Sequence, residues 1–364
     1  MAILQNLRIE SFRGICDLQV DRLNQINLIV GDNNCGKTSV LEAIQLLRPT
    51  SNSGNIFRIA RQREYLMGFS GSSMYDNFIC MFPHDGGELR IHVSGVFDNK
   101  DVSYAIEGEQ KNVLMDPKDM DRMTVRELGE MSEPMEVNAF EGSFFYRNGE
   151  RVHSRDINVN QLSRLSGMLL ERPGAYDIVY VSPFEHLRGD VIGRIIKNDE
   201  YKEICLRALQ LFDPDIVDMM IFKSDVGNRP VEYLKHRKLG NMPLSTFGDG
   251  IKKVLVLSNA IAKAAGGIVL MDEIETAIHK KYYDDIFRFI VKVCKAFDVQ
   301  AFITTHSLEA IDGLLMTQDY EKQGEEDSVS VVTLKREENR TYARVLSGRE
   351  VAQNREAFGF EVRL

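Results

Sequence analysis

The chain has 364 residues, of which 43% are hydrophobic and 27% charged. That mix supplies a core for one large α/β domain or two ordinary ones and excludes a wholly disordered chain. A net charge of −9 argues against coating nucleic acid by bulk electrostatics.

No run reaches the roughly 18 consecutive apolar residues of a membrane-spanning helix. The opening MAILQNLRIESFRG lacks the basic, apolar, small-residue order of a secretory leader. Cys16, Cys35, Cys80, Cys205 and Cys294 are odd in number and form no CxxC, so neither a disulfide framework nor a zinc site is expected and a reduced, cytoplasmic setting is. Two basic stretches, Arg58/Arg61/Arg63 and Lys235-His236-Arg237-Lys238, read either as local phosphate-binding strips or as solvated loops.

In chain order, short strands are expected at Leu7–Ile9, Leu18–Val20 and Ile26–Val30, then a helix from Lys37 to Leu47. INLIV is a continuous apolar run, the pattern of a strand buried on both faces. From about Asn77 to His153 the chain alternates apolar and polar residues in NFICMF, ELRIHVSGVF, VSYAIEG and SFFYRNGERV. These read as strands, the last with an Asn148-Gly149 hairpin turn. Between them a helix is expected whose methionines (Met115, Met120, Met123, Met131, Met135) either fill a local core or form an adaptable partner surface.

A strand at Ile178–Val181 and a helix from Tyr201 to Phe212 follow. After Leu244 come a helix from Asp249 to Ala265, a strand at Ile268–Met271, a helix from Lys280 to Phe297, a strand at Gln300–Thr304 and a helix from Ser307 to Met316. A hairpin, SVSVVTLKR with RTYARVL, and a last helix close the chain. The fold class expected is α/β: residues 1–50 and 240–364 build one core with a mixed sheet and flanking helices, and 51–239 form an inserted antiparallel β and helical lobe.

The most informative residues are Gly31-Asp32-Asn33-Asn34-Cys35-Gly36-Lys37-Thr38, which fit G-x-x-x-x-G-K-[ST]. A loop wrapped around a triphosphate aims backbone N–H groups inward, and residues without a Cβ permit the tight path at Gly31 and Gly36. The helix N-terminus behind the loop, which includes Ser39, offers partial positive charge. Lys37 supplies a full charge to the β- and γ-phosphates, and the Thr38 hydroxyl suits Mg²⁺. Asn33 and Asn34 belong to the cradle, while Cys35 only fills space.

Hydrolysis also needs an acid for the metal and a group for water. GIVLMDE ends in Asp272, the expected Mg²⁺ ligand, and Glu273, the expected general base. AFITTHS brings His306 to a strand's carboxyl end, where parallel strands converge on one crevice. LSTFGDG, with Ser245 and Gly248, opens a helix with a hydroxyl available to cap it.

The order GDNNCGKT, STFGDG, VLMDEIE, ITTHS resembles the ABC-type ATPase heads of the SMC, RecF and OLD families. DEIETAIH, TTHS and the closing GFEVR are most similar to OLD-like AAA ATPases. The resemblance implies an ATP-sandwich dimer, or a higher even oligomer, in which Ser245 and Gly248 of one protomer face the γ-phosphate on the other. STFGDG departs from an LSGGQ-like signature at Thr246-Phe247, no glutamine occupies the expected Q-loop position after Ile178–Val181, and His279 matches either a dimer-seam position or a solvent-facing one.

With no sustained heptads, SMC-type arms are not expected. Nor does the chain leave room for the Toprim nuclease of OLD proteins, so an effector, a nuclease above all, is expected as a separate polypeptide. The resemblance thus implies an Mg²⁺-dependent ATPase gating that effector, as in bacterial anti-phage defence pairs. The alternative is a RecF-like DNA-binding loader. A GTPase-like switch is disfavoured, because Asn99-Lys100-Asp101 sets its acid one place too early for N-K-x-D.

Overall fold

The computed structural model describes residues 3–48, 53–67, 73–84, 88–115, 134–163, 176–187, 191–223, 230–320, 327–338, 340–359 and 361–363. The strands are β1 (Leu4–Phe12), β2 (Ile15–Val20), β3 (Ile26–Gly31), β4 (Leu89–Phe97), β5 (Lys100–Met115), β6 (Met135–Asn148), β7 (Arg151–Asn160), β8 (Ile178–Val181), β9 (Ile216–Lys223), β10 (Pro230–His236), β11 (Gly240–Pro243), β12 (Ile268–Met271), β13 (Gln300–Thr304), β14 (Val329–Glu337) and β15 (Arg340–Ser347). The helices are α1 (Lys37–Leu46), α2 (Asn55–Met67), α3 (Met74–Ile79), α4 (Ile192–Ile195), α5 (Asp199–Gln210), α6 (Asp249–Lys263), α7 (Tyr283–Ala296), α8 (Leu308–Leu315) and α9 (Gly348–Phe358).

One six-stranded sheet runs β15-β14-β3-β13-β12-β8. All its pairings are parallel except the edge hairpin β14–β15. Its central strands β3, β12 and β13 are buried at every position, Asn27, Gln300 and Thr304 included, because each face carries its own layer. Ile29, Leu270 and Phe302 face a core shared with α1 and the second sheet. Leu28, Val269, Met271 and Ile303 pack beneath α6, α7 and α8. The second sheet, β2-β1-β4-β5-β6-β7, is antiparallel throughout, and β11-β10-β9 is a third. α1 is buried between the two large sheets, Glu42 and Gln45 included. No described helix is long and apolar enough to cross a membrane.

Several expectations need correction. The division into 1–50 plus 240–364 and 51–239 cuts across both large sheets. β1 and β2 pair with β4–β7 rather than with β3, while β8 is an edge of the phosphate-loop sheet. NFICMF is not a strand; α3 covers its first half. Ser73 caps α3 by accepting from the Asp76 N–H, and Phe78, four residues before Phe82, packs edge-on to it and near Phe57, a helical spacing. The expected methionine helix lies outside the described residues, except that Met115 and Met135 pair at the open end of β5–β6. The Asn148-Gly149 turn forms as expected, with Gly149 at φ +59°.

Candidate functional site

β3 delivers the chain to the phosphate loop at its carboxyl end. Gly31 has φ +144°, and a Cβ there would lie 2.3 Å from the Leu334 carbonyl oxygen and 2.8 Å from Cys35 Sγ; only glycine fits. Gly36, at φ +101°, caps α1. No side-chain cap and no first-turn acid occupies the N-terminus of α1, so its leading N–H groups remain available to an anion.

Lys37 is buried, and its ammonium donates to the carbonyls of Gly31 (2.9 Å) and Asp32 (2.7 Å). Asn33 and Asn34 are exposed and Ser39 half-buried. Cys35 is buried beneath the loop, and burial raises its thiol pKa, which keeps it a protonated filler.

Asp272 follows β12 and reaches this loop across 234 residues of sequence: the Thr38 hydroxyl lies 3.0 Å from its Oδ2. Asp272 also accepts from Thr304 Oγ1 at 2.6 Å and from the Tyr180 hydroxyl at 3.0 Å. Burial, then the Asp272 charge, pushes the Tyr180 phenol well above its ordinary range, so it stays a donor. Glu273 adopts φ +45°, and its N–H donates to the same Thr304 hydroxyl at 2.8 Å. One threonine therefore ties both acids to β13.

The backbone N–H of Thr305 in turn donates to the Ile29 carbonyl, and His306 follows with its side chain half-exposed. Its Nδ1 and its backbone N–H each lie 3.0 Å from Glu275 Oε1. Thr38, Asp272 and Glu273 are thus joined by a direct contact and a shared partner, Thr304, while Lys37 adjoins Thr38 in the chain and His306 lies two residues beyond Thr304.

Ser245 and Gly248 are exposed, and neither makes a hydrogen bond to the phosphate loop among the described residues. The expected hydroxyl cap is absent: Gly248 itself caps α6 without a side-chain bond, and Thr246 donates to the Pro243 carbonyl. His279 is exposed and caps the following turn by accepting from the Lys281 N–H.

Residues that single-sequence reasoning passed over complete the region. Tyr180 and Thr304 sit on strands it recognised, yet nothing marked them as partners of an acid. Lys253, fully buried on α6, donates to the Pro183 carbonyl at 3.1 Å. Glu42 on α1, 1% exposed, takes ion pairs from Arg13 (2.7 Å) and Arg63 (2.8 Å), the pairing a buried carboxylate requires. Arg13, Arg63, Arg336 and His84 line a cleft of about 210 Å³ beside Asn34, Gly36 and Ser39. The roomier cleft of about 630 Å³ lies on the second sheet between Arg8, Arg90, Glu107 and Tyr146 and contains no residue of the phosphate loop.

Part of each basic stretch is engaged within the fold. Arg63 is held by Glu42 and Arg58 donates to Asn55, while His236, Arg237 and Lys238 meet Asp213 and Asp215. Asp213, Asp215 and His236 are close enough to share a cation. However, His236 Nδ1 already accepts the N–H groups of Lys238 and Leu239, which leaves Nε2–H to Asp213 and makes the cluster structural. Thr38 and Asp272 instead present a hydroxyl and a carboxylate to each other, hard oxygen donors that suit Mg²⁺.

Residues 26–312 match the family model described as "AAA domain, putative AbiEii toxin, Type IV TA system". An ATP/GTP phosphatase of Helicobacter pylori is 21% identical over 88% of this chain and 90% of its own length. RecF of Oenococcus oeni is 50% identical over a 44-residue stretch, 12% of each chain. Among solved structures, an SMC head bound to the C-terminal winged-helix domain of ScpA covers 96% of this chain and 99% of its own at TM-score 0.50 and 13% identity. An SMC head with an extended coiled coil, bound to the C-terminal domain of ScpA from Pyrococcus furiosus, covers 99% and 100% at TM-score 0.51 and 11% identity.

Proposed function

The chain belongs to this AAA-domain family of ATPases, and from that premise we propose that ATP and Mg²⁺ bind between the phosphate loop and the acids after β12. The observation that carries the reading is the 3.0 Å approach of Thr38 Oγ1 to Asp272 Oδ2, which lets one small cation be held from both halves of the chain. Mg²⁺ supplies charge neutralisation to the phosphates.

Lys37 exchanges its two loop carbonyls for β- and γ-phosphate oxygens, and the free N–H groups of α1 receive the β-phosphate. The basic cleft beside Asn34 and Ser39 takes the remainder of the nucleotide. Glu273 accepts the proton of the water that attacks the γ-phosphorus, the bond to the β-bridging oxygen breaks, and ADP and phosphate leave. His306 donates to a γ-phosphate oxygen. The exposure of Ser245 and Gly248 supports a role in trans: a second copy brings them onto the γ-phosphate, so that ATP closes a dimer and hydrolysis reopens it.

This cycle would gate a separate effector, a nuclease, in anti-phage defence. The toxin–antitoxin description of the family supports that reading. So do the net charge of −9 and the ion pairs that engage Arg63, Arg237 and Lys238 within the fold, which disfavour a RecF-like DNA loader. Lys37→Ala should abolish ATP binding, and Glu273→Gln should slow hydrolysis by about 10²- to 10⁴-fold while trapping an ATP-bound dimer measurable by light scattering. Wild-type turnover by Glu273→Gln refutes the base assignment. Salt-sensitive, ATP-stimulated DNA binding by the chain alone would favour the loader.

A further inference from the structure

Glu275 lies three residues beyond Asp272 and has no part in the chemistry above. Its side chain is nine-tenths buried. Oε1 serves His306 twice, at 3.0 Å from the backbone N–H and 3.0 Å from Nδ1. Oε2 is buried with no hydrogen-bond partner among the described residues, a costly arrangement for a carboxylate that only filled space. From the opposite side Arg363 Nη1 donates to the His306 carbonyl at 3.0 Å, and Arg363 is itself held by Glu361 at 2.8 and 3.0 Å. His306 is thus fastened at its N–H, its ring and its C=O, although half its side chain is open to solvent.

We propose that Glu275 is a positioning residue for His306: a single carboxylate oxygen fixes main chain and imidazole together, which commits Nδ1–H to Glu275 and turns Nε2 to the γ-phosphate, to which it donates as the imidazolium. An exposed imidazole without this tether would sample its rotamers and present either nitrogen, losing the pre-orientation on which phosphoryl transfer depends. The inference rests on the role proposed for His306.

The test is a cycle of full-length wild-type, Glu275→Gln, His306→Ala and the double variant, with kcat and KM for Mg·ATP and the thermal midpoint measured for each. Glu275→Ala is added, so that partial rescue by glutamine, which can still accept from the backbone, is visible. The expected result is a fall in kcat of about 10-fold or more for Glu275→Gln at nearly constant KM. In the His306→Ala background the same change should cost less than about 2-fold. Equal losses in both backgrounds, with His306→Ala itself impaired, overturn the positioning role and leave the ATPase reading intact. Wild-type kcat in Glu275→Ala does the same. An unimpaired His306→Ala overturns the role proposed for His306 and the positioning built on it, since nothing would remain to be positioned.

Discussion

Thr304→Val removes one hydroxyl and almost no volume. In the native chain that hydroxyl is fully buried, donates to Asp272 Oδ1 at 2.6 Å and accepts from the Glu273 N–H at 2.8 Å. The first bond is charge-assisted, and its loss costs about 1.5–3 kcal/mol; stranding the Glu273 N–H costs about 1–3 kcal/mol more. Glu273 is also held at φ +45°, a conformation a glutamate keeps only while its surroundings impose it. A loss of about 3 kcal/mol or more in urea unfolding is expected, a large share of ordinary domain stability. Turnover should fall as well, because both acids lose their common anchor, and Thr304→Ser should restore both. A valine variant that unfolds at the wild-type midpoint and hydrolyses ATP at the wild-type rate would refute the idea that Thr304 ties the acids together.

Gly31→Ala must part the β3–β14 edge, since its methyl would lie 2.3 Å from the Leu334 carbonyl oxygen; about 3 kcal/mol or more of destabilisation is expected by denaturant titration. Gly248→Ala is the contrast, with nothing within 4 Å of the added Cβ: stability should stay within about 0.5 kcal/mol, while ATP-driven dimerisation, read by sedimentation, should weaken. Burial brings the Lys253 ammonium from 10.5 down to about 8, against the pull of Asp272, Glu275, Glu273 and Glu185. Below about pH 8 both folded and unfolded chains keep this proton and the cost of the buried cation is fully present. Between about 8 and 10.5 the unfolded chain binds more protons, so this group's contribution to stability rises with pH, by roughly 3 kcal/mol in all. Lys253→Met should erase that rise in pH-dependent unfolding; an unchanged slope would show that Lys253 does not titrate there.

The chain's own order of residues determined the phosphate loop, the buried strands β3, β12 and β13, and the acids and imidazole at their ends, because these depend on local backbone demands and on uninterrupted apolar runs. β12 and β13 have the bounds expected, Ile268–Met271 and Gln300–Thr304. Local pattern could not apportion the first fifty residues between two sheets, since strand pairing is a contact between distant segments: Leu7 meets Val20 and Gly95, whereas Ile29 meets Thr304 and Val332. NFICMF misled for the same reason, its aromatic contacts with Phe57 and Phe140 being tertiary.

Tyr180 and Lys253 fall in no motif, and Thr304 and Glu275 lie inside TTHS and DEIETAIH without a role assigned to them there. Each became part of the site only when folding brought a hydroxyl, an ammonium or a carboxylate into a low-dielectric crevice where unpaired polar groups are costly. A lysine on α6 or a tyrosine on β8 has a meaning beside Asp272 that its sequence neighbours do not give it, because hydrogen bonds and charges act over a few ångströms of space, whatever length of chain separates them.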